Sequence, residues 1–270
     1  LWILDDVTPL HQISDKVAKA DYHLYKPRDT YRGLTRAFSI NGDQGQNPPD
    51  GVQITYVLNK EVSDETPMSM EIIDHTGRVV YSEFTDAPES ECDEYRKKQL
   101  KRSTGANVWV WNMRVGEFDC IKELATTNRD LSAYDAAPGQ YSVRFKVGGF
   151  SQTQDFEIKV HPKIEASTEN AAAAYKEADQ IAASVLEGAT EMASGIRQLR
   201  QVKRQLDFIL EVAESSQIKE RGAALNKTID EWIDKILQKE LRTGQNNYQF
   251  EARLLVKFKD FLNTLSGGNV

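Results

Sequence analysis

The chain has 270 residues and a mass of 30.5 kDa, with 34 basic and 41 acidic side chains and a net charge of −7. That length suits two compact units of about 100 to 200 residues each, and a composition of 40% hydrophobic and 28% charged residues is that of a globular chain, not a disordered one. No run reaches the roughly 18 apolar residues of a spanning helix, and the acidic balance argues against holding a phosphate backbone, so neither a membrane span nor nucleic acid is expected.

Leu1-Trp2-Ile3-Leu4 is a short apolar run with no initiating Met and no basic leader. It reads as the end of an element begun upstream, and the chain as a fragment from the C-terminal side of a longer protein. Asp5 and Asp6 follow it directly. Carboxylates at a strand end can serve a sugar or a cation, which makes these two the weak catalytic candidates of the sequence; the other reading is that they cap the turn before Pro9. Asn41-Gly42-Asp43-Gln44-Gly45 has oxygen ligands but lacks the distal bidentate Glu of a calcium loop, and it reads as a turn.

Apolar runs bounded by turn residues predict strands over 52–58, 68–73, 78–84, 107–113, 140–147 and 154–160. Asp74-His75-Thr76-Gly77 joins two of them as a hairpin, the glycine supplying positive φ. Six such runs suggest an antiparallel sandwich. Between them, 89–102 is dense in charge and reads as a solvated loop or exposed short helix. Trp109 and Trp111 share one strand face and are offered either to a sugar ring or to the core. With Val108 and Val110 apolar as well, a strand buried on both faces is the expectation.

All eight prolines precede residue 163. Beyond it, apolar residues recur at steps of 3 and 4: first from Tyr175 through Ala182, Ala189, Ile196, Val202 and Ile209 to Ala213, then Ile218, Leu225, Ile229, Trp232 and Ile236, then Phe250, Leu254, Phe258, Phe261 and Leu265. Gly188 and Gly195, inside the first stripe, suit close helix approach. The expected architecture is therefore multidomain, β then α: a fibronectin III or Ig-like antiparallel β-sandwich over 46–162, followed by a three-helix antiparallel bundle over 163–270. Residues 1–45 supply a leading strand and linker.

Reactive chemistry is sparse. His11, His23, His75 and His161 share no short motif, so neither a metal site nor a nucleophile–His dyad is indicated. There is no Gly-rich phosphate loop and no Gly-x-Ser-x-Gly elbow, and no cofactor is expected. Cys92 and Cys120 are too few for a disulfide scaffold, and both pairing and two free thiols remain open. Asn226-Lys227-Thr228 matches a glycosylation triplet inside an expected helix.

The run from Leu1 to Gln12 (Leu-Trp-Ile-Leu-Asp-Asp-Val-Thr-Pro-Leu-His-Gln), the segment His23-Leu24-Tyr25-Lys26-Pro27-Arg28-Asp29-Thr30-Tyr31-Arg32, the opening Asn47-Pro48-Pro49-Asp50-Gly51 and the tail Leu241-Arg242-Thr243-Gly244-Gln245-Asn246 resemble the C-terminal region of bacterial sortilin-like, BNR-repeat glycosyl hydrolase-like β-propeller proteins. Asp74 with Gly77, then Gly105, Asn107 and Trp111, then Pro138, Gly139 and Tyr141 fit the sandwich of that family. The resemblance implies that 1–45 closes a propeller and leads away from it, that the chain is exported, and that its nearest partner is the propeller of its own parent protein. Every propeller blade is lacking here, and with them the seat of any hydrolase activity that the family name implies. The leading expectation is a non-catalytic interaction module that braces the propeller and offers a surface to protein or glycan. The alternatives are a carbohydrate-binding module, or part of a glycosidase whose catalytic residues lie mainly in the propeller.

Overall fold

The structure, a computed structural model, describes residues 6–32, 49–85, 100–119, 121, 123–125, 132–240 and 250–267. A short 3-10 turn, Leu10–Gln12, and helix α1, Asp15–Lys19, lead into the first strands. Ser14 caps α1 by accepting the amide of Val17.

Strands β1 (Tyr22–Leu24), β3 (Val52–Leu58) and β6 (Gly105–Trp111) form one sheet in the order β1-β3-β6. A second sheet has β2 (Thr30–Tyr31), β10 (Phe150–Lys159), β9 (Gly139–Val147), β4 (Met68–Asp74) and β5 (Val79–Phe84), in that order. A two-stranded sheet joins β7 (Arg114–Glu117) to β8 (Ser132–Asp135). The alternation along β9 shows why these residues pair as they do. Tyr141, Val143, Phe145 and Val147 are buried, while Ser142, Arg144 and Lys146 between them are half-buried, so one face meets the core and the other meets water. The inner faces meet through aromatic contacts: Tyr56 lies 4.9 Å from Phe145, and Trp111 lies 5.8 Å from Tyr141 and 6.2 Å from Phe156.

The expected architecture is corrected in two respects. The β part is not a plain antiparallel Ig-like sandwich. One sheet curls as a half-barrel, and the five-stranded sheet is mixed, because the short β2 enters beside β10 in parallel, Thr30 opposite Ile158. The α part is not a simple three-helix bundle either. Five helices are present among the described residues: α1 before the first strand, then α2 (Pro162–Ser167), α3 (Ala171–Val212), α4 (Ser216–Ile236) and α5 (Leu254–Gly267).

At 42 residues α3 is about 63 Å long. The stretch 171–196 turns Tyr175, Ala182, Ala189, Ala193 and Ile196 inward, and the small alanines among them let the helix lie close to its neighbours. One hydrophobic cluster runs from Trp109 and Phe145 of the sheets through these alanines to Ile229, Ile233, Leu255 and Leu262 of the other helices. Ion pairs fasten the same stretch to the segment after β7, Arg197 to Asp119 at 2.7 Å and Arg200 to Glu123 at 2.9 Å. Gly188 does mark a close approach, since a Cβ there would lie 3.2 Å from the Phe258 ring of α5. A Cβ on Gly195 would meet nothing. The tightest helix contact is at Gly222 of α4, where a Cβ would lie 2.4 Å from Leu210.

Candidate functional site

Asp6 is half-buried and its Oδ1 accepts the Thr8 amide at 2.9 Å, ahead of Pro9. Asp5 lies outside the described residues, as do Cys92, Cys120, the Asn41 to Gly45 turn and most of the charged stretch before Arg102. The four histidines are dispersed: His11 in the 3-10 turn, His23 edge-on to Tyr25, His75 exposed in the β4–β5 hairpin, and His161 capping α2 by accepting the Lys163 amide. Trp109 and Trp111 are both buried, whereas Val108 is exposed and Val110 half-buried. Strand β6 is thus buried on one face, not on two, and its tryptophans belong to the core. Trp111 donates its indole N–H to the Arg114 carbonyl at 2.9 Å, while the Trp109 indole N–H is buried without a hydrogen-bond partner.

The densest polar assembly lies where the sheets meet the start of α3. Arg32, buried beyond the end of β2, donates to the Ala136 carbonyl at 3.2 Å and stands 3.9 Å from the Asp135 carboxylate. Arg114 reaches the same carboxylate at 3.1 Å and the Ala133 carbonyl at 3.1 Å. Burial presses the Arg32 guanidinium below its usual pKa, with Asp135 opposing that shift. Beside it, Asp74 forms an Asx turn in the hairpin, accepting from Thr76 N at 2.9 Å, Thr76 Oγ1 at 2.6 Å and Arg78 Nε at 3.1 Å. Burial pushes Asp74 upward, but these hydrogen bonds outweigh it and hold the carboxyl below the usual range.

Asp179 completes the junction. It sits four residues after buried Tyr175 and three before buried Ala182, so the helix turns it toward the sheet. Burial raises its pKa, Asp74 adds to the effect, and Arg78, Arg32 and His75 oppose it. Burial likewise raises the Tyr134 hydroxyl to about 12. Two acids with pKa values moved apart resemble an acid–base pair. A substrate would also need room beside them. Two clefts, of about 270 Å³ (Glu83, Phe84, Thr85, Leu100, Arg102) and about 410 Å³ (Gln180, Ile181, Ser184, Val185, Phe258), have neither Asp74 nor Asp179 in their lining. Among the described residues no group of three His, Cys, Asp or Glu is placed to hold a metal ion. The junction brings the arginines Arg32, Arg78 and Arg114 together with the carboxylates Asp74, Asp135 and Asp179 of hairpin, sheet and helix.

Beyond Ile196 the character of α3 changes. It pairs antiparallel with α4: Leu210 packs on Gly222, Asp207 accepts from Asn226 at 2.6 Å, and Lys203 bonds Asp230. Leu206, Leu210 and Ala213 turn toward the partner helix and are half-buried. Val202, Ile209 and Val212 lie to one side of that inward line, by about 45° to about 125° at roughly 100° per residue. On α4, Ile218, Leu225 and Trp232 lie about a sixth of a turn from the line of Gly222, Ile229 and Ile233, at roughly 100° per residue. Both offsets have the same rotational sense along their own helix, and the helices run in opposite directions, so both rows come out on one face of the hairpin. That face is open, with Val212 65% exposed, Trp232 56% and Phe208, at its outer edge, 66%.

No family model, curated protein or solved structure matches this chain. No described helix is long and apolar enough to cross a membrane.

Proposed function

We propose that this chain is a non-catalytic interaction module, a β-sheet base from which a rigid helical hairpin presents an apolar face. The observation that carries this reading is the α3–α4 face itself. Val202, Ile209, Val212, Ile218, Leu225 and Trp232 are each at least 45% exposed, yet they align on one side of a well-packed hairpin. Large apolar side chains gathered on one surface mark interaction sites, whereas scattered ones carry no such meaning. The saturated ion pairs of the junction point the same way, since Arg32, Arg114 and Asp74 are engaged with the protein's own groups. The sequence resemblance implies that the module belongs to an exported β-propeller protein and braces its propeller.

The test is enzymatic. The purified chain is assayed against a panel of chromogenic glycosides and casein, with and without divalent cations, and no turnover is expected. Reproducible hydrolysis abolished by Asp6→Asn or Asp179→Asn would replace the interaction reading with an acid–base one.

A further inference from the structure

We propose that strand β6 takes up an extended peptide segment of a partner protein as a fourth strand on the β1-β3-β6 sheet. This surface belongs to the sheet and goes beyond the hairpin face of the interaction reading.

The hydrogen-bond pattern carries the first step. The Tyr25 amide donates to the Thr55 carbonyl at 3.0 Å, so Thr55 turns its backbone groups toward β1. Thr55 stands opposite Val108. An antiparallel pair alternates between opposed residues that exchange both bonds and opposed residues that turn both groups away. Asn107, Trp109 and Trp111 therefore bond β3, while the N–H and C=O groups of Ala106, Val108 and Val110 point off the open edge. Those groups have no hydrogen-bond partner among the described residues. Alternate residues of a strand are about 6.8 Å apart, and donors and acceptors repeated at that interval along one line match another extended main chain.

The remaining edges of the two larger sheets show what is missing from β6. At β1, the Gln152 side chain accepts from the Leu24 amide at 2.9 Å, and Gln152 and Gln154 donate to the Leu24 carbonyl. Strand β2 has only two residues. Strand β5 slips its register on β4 between Ile72 and Ile73, carries Glu83 and has β7 beside it. Strand β6 has seven residues in unbroken register (Gly-Ala-Asn-Val-Trp-Val-Trp), with neither charge nor proline. Short length, bulges, charges and proline are the devices that keep an edge from recruiting a strand, and β6 has none of them.

Side chains and size narrow the occupant. Val108, 47% exposed, lies beside Thr55, and Val110 lies beside Gln53. An incoming strand with Val, Ile or Thr on that face extends the row by further β-branched pairs. The edge is about 24 Å long at 3.4 Å per residue and about 5 Å wide, far short of the roughly 800 Å² per partner that two rigid bodies need. A second copy of the chain would be held too weakly there. A flexible peptide is held on such an edge by main-chain bonds.

The experiment uses the whole chain and, as probe, a labelled peptide of seven alternating Thr and Val residues with two lysines at each end. Amide hydrogen exchange comes first: in the free chain the Ala106, Val108 and Val110 amides should exchange at least a hundredfold faster than those of Asn107 and Trp109, and saturating peptide should slow them at least tenfold. Val108→Pro removes one outward N–H and leaves the β3 pairing intact, so it should weaken binding, read by fluorescence anisotropy, at least tenfold. Should that variant lose strand structure, the wild-type chain with the probe N-methylated at all seven central residues should show the same loss, since every side chain is kept and only the edge donors go. Protection of the three amides in the free chain overturns the proposal, as does the absence of saturable binding at about 1 mM probe. Binding unchanged by both Val108→Pro and N-methylation also overturns it, and so does a chain that dimerises through β6 without peptide, which would make a second copy the occupant.

Discussion

The guanidinium carbon of Arg32 lies 4.3 Å from the centre of the Tyr175 ring, so the residue that follows β2 is seated on the first buried turn of α3. The same guanidinium faces Asp135 of β8. One side chain therefore ties an edge strand, the two-stranded sheet and the long helix together, and Arg32→Lys should not replace it, because a point charge neither stacks nor bridges as the planar fork does. We expect Arg32→Lys to cost about 2 kcal/mol and the Arg32–Tyr175 coupling in a double-mutant cycle to be about 1 kcal/mol. Urea unfolding of the four proteins of the cycle measures both; additivity would show that the stacking contributes nothing.

Asp179 and Asp74 should respond to pH in opposite ways. The pKa of Asp179 is raised in the folded chain, chiefly by burial, so its charged form costs stability above that raised value, and the cost disappears as pH falls toward the ordinary carboxylate value. Asp179→Asn should thus stabilise the protein at neutral pH and lose its advantage in mild acid. The pKa of Asp74 is lowered: burial raises it, but the hydrogen bonds from Thr76 and Arg78 prevail, so its contribution is present above the ordinary value and lost as pH falls through the depressed one. Asp74→Asn should destabilise at neutral pH. Thermal midpoints for both variants between pH 3 and pH 8 test the two signs, and a pair of parallel curves would refute the assignment.

At Gly51, just before β3, φ is +129° and a Cβ would lie 2.2 Å from the Trp111 carbonyl oxygen. That neighbour is main chain of the strand opposite and cannot swing aside. Gly51→Ala should cost about 3 kcal/mol from strain and overpacking together. Gly105→Ala also meets a positive φ but open space, and should cost less. Equal denaturation midpoints for the two variants would contradict this ranking.

The two buried tryptophans separate by their N–H groups. Trp111→Phe leaves the Arg114 carbonyl without its donor, while Trp109→Phe removes an indole N–H that has no partner. Both lose ring volume. The Trp111 variant should therefore be the less stable by about 1 kcal/mol, the worth of a buried hydrogen bond. A chemical-denaturation comparison with the reverse order would place a donor on the wrong ring.

What the sequence disclosed follows from element length. Runs such as 52–58 and 140–147 are long enough for period-2 burial to show, and strands β3 and β9 occupy those positions. Strands β1, β2, β7 and β8 have two to four residues, too few for any period, and are placed by long-range pairings such as the Arg32 amide on the Lys159 carbonyl. The parallel entry of β2, which makes the sheet mixed, has no local signal at all. Asp179 was open to discovery, being an acid in the apolar stripe of α3, but only its neighbours Asp74, His75 and Arg78 of the β4–β5 hairpin, Arg32 after β2 and Tyr134 of β8 give it meaning. In that same stripe Val202 and Ile209 are legible as seam residues. That the chain leaves them uncovered is a property of the fold alone.

Because α3 is a single helix from the junction to its tip, it is also a lever. Its last fully buried residue is Ile196, and the sixteen residues from there to Val212 form an arm of about 24 Å at 1.5 Å per residue. A tilt of about 5° at the alanine-lined root would carry the end of the arm about 2 Å sideways over that length, more than the tolerance of interlocking side chains. Packing at Ala182, Ala189 and Ala193 thus sets the aim of a surface far from it. A bulkier residue at one of those positions would misdirect the arm without touching anything on its face.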